Sequence, residues 1–206
     1  MFKIELDGDT YISLLHPHHA AQLFKLVDAN RENLGKWLSF PQKTKSVADS
    51  KTFIERSLTR FANNNGFWAG IWSGSELAGA IGFLYVDSVN RKAEIGYWLG
   101  SEFEGRGLVT RSCKCFIQHA FAKWTLNKVE INMASGNIQS KAVAERLGFK
   151  QEGIIRDYEF LNGEYHNRVI YGMLQKEWMQ RMRVDRNEEN GDRKSTRLNS
   201  SHLLIS

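Results

Sequence analysis

The chain has 206 residues, of which 42% are hydrophobic and 25% are charged, as in a folded globular protein with one or two domains. Its 28 basic residues outnumber its 23 acidic residues by only five, so charge gives no strong indication of nucleic acid as a direct partner. No apolar run approaches the roughly 20 residues that span a bilayer. Acidic residues occupy the N-terminal stretch where a signal peptide would have its apolar core, so we expect a cytoplasmic protein without a membrane segment.

The first half of the chain predicts strands with two amphipathic helices between them. The first helix begins at Pro17, where the missing backbone N–H costs nothing, and extends to about Leu34. The second helix begins at Ser46, a residue type that commonly caps a helix N-terminus, with Asp49 three residues later. The predicted strands are FKIEL (2–6), FWAGIW (67–72) and LAGAIGFLYVD (77–87).

The second half alternates strands with single helices. RKAEIGYWLG (91–100) and KVEINMA (128–134) predict strands, and helices are predicted in 108–124 and 137–149. Two more strands close the domain, joined by a tight turn at LNGE (161–164), because Asn-Gly is a strong hairpin signal. The pattern predicts a mixed α/β fold with a mixed sheet of about seven strands and helices on both faces.

Two glycines, Gly105 and Gly107, lie between the fourth predicted strand and the helix that follows it. Such a loop can direct free backbone N–H groups at an anion. It is not a Walker A loop, which needs Lys-Ser/Thr after the second glycine, and Thr110 replaces the third glycine of the dinucleotide motif. The loop suits a diphosphate held by the amides of residues 105–110 and the Thr110 hydroxyl, with positive charge from Arg106. The alternative is a tight connection that needs glycine only for its backbone angles.

Other polar features have structural alternatives. Asn137 and Ser140 lie at a second junction between a strand and a helix, where both could simply cap the helix. Cys113 and Cys115 point to opposite sides of a predicted helix, which suits neither a disulfide nor a shared metal. The HPHH segment (16–19) lacks further metal ligands nearby and is interpreted as surface.

Together, EFEGRGLVT (102–110) and NIQSKAVAERLGFKQEG (137–153) resemble the GNAT acyltransferases, which transfer an acetyl group from acetyl-CoA to an amine. The resemblance covers about residues 3–178. It is closest to the ribosomal-protein-serine N-acetyltransferase (RimJ/RimL-like) branch, and YEFLNGEYHN (158–167) is part of that match. The cofactor-binding residues that the resemblance implies are Tyr97, Trp98, Leu99, Gly105, Arg106, Gly107, Leu108, Val109, Thr110, Asn137 and Ser140.

The resemblance also implies catalytic roles. Ser140 would lie near the thioester sulfur and protonate the leaving thiolate. Glu159 matches a glutamate implicated as the general base of this branch, and Glu94 could instead hold a water that takes the proton. For both glutamates the alternative is an exposed strand carboxylate or a surface ion pair. A backbone N–H of Trp98 or a neighbour would stabilise the oxyanion, and no metal is required.

One position departs from the pattern that this resemblance implies. The superfamily often has Gln or Arg at the first position of the loop, which is Glu102 here. A carboxylate would not help to bind a diphosphate, so we expect Glu102 to face solvent. Trp37 and Phe40 are candidates for the core or for the wall of the acceptor groove.

The sequence therefore predicts one acetyltransferase domain at residues 1–180, with a polar extension at 181–191. Residues 192–206 look like a translated sequencing adapter and are predicted to be a disordered, non-native read-through tail; without them the net charge falls from +5 to +3. The predicted acceptor is the N-terminal α-amine of a ribosomal protein, and a homodimer would be common for the branch that the sequence resembles. The alternatives are a polyamine or amino-sugar acetyltransferase and, from another class, a non-catalytic CoA-binding sensor or interaction module.

Overall fold

The computed structural model describes residues 3–184, which form eight strands in one sheet. The strands are β1 (Lys3–Asp7), β2 (Thr10–Leu14), β3 (Phe67–Ser73), β4 (Glu76–Asp87), β5 (Lys92–Leu99), β6 (Lys128–Ala134), β7 (Lys150–Leu161) and β8 (Glu164–Leu174). The helices are α1 (Ala20–Ala29), α2 (Arg31–Gly35), α3 (Phe40–Lys43), α4 (Val47–Ala62), α5 (Leu108–Ala122) and α6 (Ile138–Arg146), and residues 175–184 are also helical. The suspected tail at 192–206 and most of the predicted extension lie outside the described residues.

Two neighbouring strands near the centre of the sheet, β5 and β6, separate and leave a gap between them. The strand order is β1-β2-β3-β4-β5-β6-β8-β7, and every neighbouring pair is antiparallel except β5 and β6. These two parallel strands pair only from Lys92 to Glu94 on β5, opposite residues 128–130 of β6. Beyond Glu94 they diverge, so the backbone edges of both strands are left without a strand partner.

Helices cover both faces of the sheet, as predicted. Because neighbouring side chains of a strand point to opposite faces, Phe67 and Trp68 of β3 identify the two layers. The Trp68 ring lies 5.9 Å from Phe53 of α4, whereas the Phe67 ring lies 5.6 Å from Phe116 of α5. The mixed α/β class is therefore confirmed.

The structure differs from the prediction at the N-terminal end of the domain. The sheet has eight strands rather than about seven, because the short segment Thr10–Leu14 forms β2 between β1 and β3. The single helix predicted from Pro17 is interrupted at Asn30, whose side chain donates to the Leu26 carbonyl and accepts from the Ser101 N–H. Through the hydrogen bond from Ser101, Asn30 connects the junction between α1 and α2 to the segment that follows β5.

None of the helices within residues 3–184 has the length and apolar character needed to cross a membrane. Cys113 is buried and Cys115 is partly exposed, and both are free thiols.

Candidate active site

A cleft of about 640 Å³ lies between β5, the glycine loop and α6. Ten of the eleven predicted cofactor-binding residues line it. Arg106 does not: its guanidinium donates to the Glu102 carbonyl at 2.9 Å and lies over the Phe103 ring. The structure therefore brings the strand, the loop and the second junction together around one cleft.

The glycine loop leaves open space in front of its amides. Gly105 and Gly107 have φ angles of +75° and +71°, which disfavour other residues, and a Cβ at Gly105 would meet no atom within 4 Å. Gly107 caps α5, and the Arg111 N–H donates to the Gly107 carbonyl at 3.1 Å. The N–H groups of residues 108–110 precede this bond and have no partner within the helix, so they can hold an anion.

Charged side chains flank these amides. Arg146 of α6 donates to the Thr110 hydroxyl at 3.1 Å and lines the cleft, a contact that the sequence analysis did not foresee. Glu104 also lines the cleft, where its carboxylate accepts from Asn33 and Gln139 at 3.3 and 3.1 Å. Glu102 is exposed and lies outside the cleft lining, as the sequence predicts.

The register of β5 decides which backbone groups face the gap. The Gly100 N–H donates to the Ala78 carbonyl at 2.9 Å, and Trp98 lies opposite Ala80 two residues earlier. Because hydrogen-bonded pairs alternate along antiparallel strands, the backbone of Trp98 faces β4. The N–H and C=O groups of Tyr97 and Leu99 face the gap instead. They form a free edge along which an extended chain can pair.

A second cavity of about 270 Å³ occupies the opposite side of the gap and adjoins the cleft. Both cavities are lined by Tyr97 and Ser140, whose hydroxyl oxygens lie 2.9 Å apart. The Ser140 N–H donates to the Asn137 side chain at 3.0 Å, so Asn137 caps α6 and also fixes the first turn beside the gap. Burial raises the pKa of Tyr97, which keeps its phenol protonated and able to donate to Ser140.

Three charged side chains meet in the second cavity. Arg168 of β8 contacts the Glu94 carboxylate of β5, and its other terminal nitrogen lies 3.5 Å from Glu159 of β7. The Tyr158 ring lies 4.6 Å from the Arg168 guanidinium. Burial raises the pKa of Glu94, and the neighbouring Arg168 partly opposes that rise.

The second cavity contains both predicted carboxylates together with Trp37 and Phe40. Glu94 and Glu159 both form ion pairs with Arg168, and a surface ion pair was one of the alternatives to a catalytic role. These pairs face the cavity, however, and not the outer surface. Sequence analysis missed Arg168 because HNR (166–168) carries no local pattern that would mark its arginine. Among residues 3–184, no group of three or more His, Cys, Asp or Glu side chains could hold a metal ion.

Comparisons with known proteins agree with this geometry. The family model described as "Acetyltransferase (GNAT) domain" matches residues 10–150. The chain is 42% identical over 180 residues to the "Putative ribosomal N-acetyltransferase YdaF" of Bacillus subtilis, covering 86% of this chain and 98% of that protein. It is 29% identical to the "Ribosomal-protein-serine acetyltransferase" of Escherichia coli, over 76% of this chain and 88% of that protein.

The solved structure of RimL, a "Ribosomal L7/L12 alpha-N-protein acetyltransferase in complex with Coenzyme A", superposes with a TM-score of 0.82 at 26% identity. It covers 85% of this chain and 99% of that chain. The chain therefore belongs to the GNAT acetyltransferase family and is an acetyl-CoA-dependent N-acetyltransferase.

Proposed function

For this GNAT acetyltransferase, we propose that the acceptor is the N-terminal α-amine of a ribosomal protein. The observation that carries the proposal is the second cavity, which is small, opens onto Ser140 and holds two carboxylates against one arginine, so that one negative charge is left for an amine to balance. Such a cavity suits an acceptor that offers a single amine. The names of the two relatives support the same acceptor class.

The chemistry of the amine favours this acceptor. An amine attacks a thioester only in its neutral form, and α-amines have a pKa of about 7.7–8.0 against about 10.4 for lysine. At pH 7 roughly a tenth of α-amines are neutral, against fewer than about one in a thousand lysines. A modest general base is therefore sufficient for an α-amine.

We assign the base role to Glu159. Its side chain is 30% exposed and lies 3.5 Å from Arg168, whereas Glu94 is 7% exposed and in direct contact with the same guanidinium. Glu159 can therefore reach an acceptor, directly or through one water, more readily than Glu94. Glu94 would then orient Arg168.

The remaining groups act on the thioester side of the gap. Acetyl-CoA supplies the acetyl group, and the amides of residues 108–110 and the free edge of β5 would hold it. Ser140, assisted by Tyr97, would protonate the leaving thiolate, and an N–H group of Tyr97 or Leu99 would stabilise the oxyanion. The Ser140 hydroxyl is hydrogen-bonded to the Tyr97 hydroxyl rather than to a base that could activate it as a nucleophile. This favours direct attack of the amine on acetyl-CoA, without an acetyl-serine intermediate.

The proposal is tested by thiol release from acetyl-CoA with the full chain and four acceptors offered separately. These are a Ser-starting ribosomal N-terminal peptide, the same peptide with a blocked N-terminus, a Lys peptide and spermidine. We expect turnover with the free Ser peptide and none with the blocked peptide. Turnover only with spermidine would favour a polyamine acetyltransferase, and CoA binding without any turnover would favour a sensor.

The remaining expectations are part of the same proposal. We propose that residues 1–180 carry the activity, and that the enzyme acts in the cytoplasm, where ribosomal proteins are made, without binding nucleic acid directly. Removing residues 192–206 should leave turnover unchanged in the same assay.

A further inference from the structure

Arg168 is a fixed part of the wall of the second cavity, which is the proposed acceptor cavity. Its side chain is 16% exposed and lies between Glu94 of β5 and Glu159 of β7. The Tyr158 ring packs against its guanidinium at 4.6 Å. Because these contacts come from two other strands and an aromatic ring, Arg168 cannot swing away without breaking several of them.

The charges in the cavity add up to one uncompensated negative charge. Among the described residues that line the cavity, only Glu94, Glu159 and Arg168 carry a formal charge. Glu130 of β6 lies next to Glu94, but its negative charge is compensated by two lysines that do not line the cavity. These are Lys128 at 3.1 Å and Lys92 at 3.9 Å. An acceptor that brings one positive charge therefore balances the cavity.

We propose that Arg168 is a specificity-determining residue that restricts the acceptor to one positive charge. This inference rests on the proposed function, because it takes the N-terminal α-amine of a peptide as the preferred acceptor. A single α-ammonium can approach Glu159 while Arg168 remains paired with Glu94. A polyamine would bring a second ammonium into a cavity that already holds a guanidinium, and these like charges repel each other.

The proposal predicts a change of preference rather than a general loss of activity. With Arg168→Gln, two carboxylates face the acceptor without compensation, which favours a polycation. The pKa of Glu94 is already raised by burial and would rise further without Arg168, so all variants and both acceptors are compared over a series of pH values rather than at a single pH.

The experiment measures kcat/KM for spermidine and for a Ser-starting peptide that has no other basic group. We expect Arg168→Gln to raise the ratio of spermidine to peptide about tenfold, whereas Arg168→Lys, which keeps the charge, stays near the wild-type ratio. The matched control is Lys51→Gln, which removes one positive charge from an ion pair on α4, away from the cavity, and should leave the ratio unchanged. Equal losses for both acceptors with Arg168→Gln would overturn the proposal.

A double variant keeps the test valid if Arg168→Gln does not fold. In the double variant Arg168→Gln, Glu94→Gln, Glu159 is the one charged residue left in the cavity lining, so the net charge is −1, as in the wild type. The ratio of kcat/KM for spermidine to that for the peptide should therefore return to the wild-type value. A raised ratio in the double variant would contradict the charge argument. If the wild type acetylates no peptide, the proposed acceptor is wrong, but a gain in kcat/KM for spermidine with Arg168→Gln would still support the role of Arg168.

Discussion

The proposed cofactor cleft and the proposed acceptor cavity share Tyr97 and Ser140 but are built differently. The cleft relies on backbone groups, namely the amides after Gly107 and the free edge of β5. The cavity relies on charged side chains that three strands bring together. Substitutions in the cleft should therefore alter binding mainly through backbone strain, whereas substitutions in the cavity should alter chemistry and preference.

The largest expected effect lies in the acceptor cavity. Glu159→Gln should lower kcat about 10²- to 10³-fold, since it removes the proposed base, while the KM for acetyl-CoA stays unchanged. The matched control is Glu152→Gln on the same strand, because Glu152 pairs with Lys128 and is absent from the cavity lining. Steady-state kinetics with the Ser peptide measure both. A large loss in the control, or none in Glu159→Gln, would contradict the assignment.

The next effect lies where the two regions meet. Ser140→Ala should lower kcat about 10²-fold, because the leaving thiolate loses its proposed proton donor. Tyr97→Phe removes only the hydroxyl that contacts Ser140 and should cost less than Ser140→Ala.

The control for this pair is Tyr171→Phe, whose hydroxyl contacts Glu145 on the same helix as Ser140. Single-turnover rates with saturating acetyl-CoA separate the chemical step from binding. If Tyr97→Phe were as slow as Ser140→Ala, the tyrosine rather than the serine would be the donor.

A smaller effect is expected in the cleft. Gly105→Ala should raise the KM for acetyl-CoA several-fold and leave kcat nearly unchanged, because the strained loop presents its amides less well. Gly163→Ala in the β7–β8 turn is a matched control: φ is +88°, and nothing lies within 4 Å of its Cβ position. Both variants should lose about 1 kcal/mol of stability, from the cost of a side chain at positive φ. Only Gly105→Ala should alter the KM, and an equal change in both would mean that the loop has no special part in binding.

The smallest effect on activity is expected outside both regions. Burial lowers the pKa of His19 to about 4, and its Nδ1 accepts a hydrogen bond from the His16 N–H, which requires the neutral ring. The unfolded chain binds this proton more readily, so the folded state should lose about 1 kcal/mol, allowing for solvent exposure, as the pH falls from about 6.5 to 4.

His19→Gln should flatten this part of the stability profile in urea unfolding and leave turnover at neutral pH unchanged. An unchanged pH profile would show that His19 does not account for the loss.

The two regions also differ in how far the sequence predicts them. The glycine loop and the boundaries of β6 follow from local patterns, since glycine, capping and alternation signals lie within a few residues. Two other features depend on partners that are distant in sequence. Asn30 interrupts a helix because its side chain accepts a hydrogen bond from the Ser101 N–H. Arg168 is held in the cavity by its hydrogen bond to Glu94, which lies 74 residues earlier in the sequence. No local pattern records such contacts, so the sequence predicts the cofactor side more completely than the acceptor side.

The most direct test of the account uses one peptide that offers both kinds of amine, a free N-terminal Ser and an internal Lys. The full chain is incubated with this peptide and acetyl-CoA, and fragmentation mass spectrometry locates the acetyl group. We expect acetylation of the N-terminal α-amine, with the lysine unmodified. Acetylation of the lysine, with the α-amine left free, would contradict this expectation.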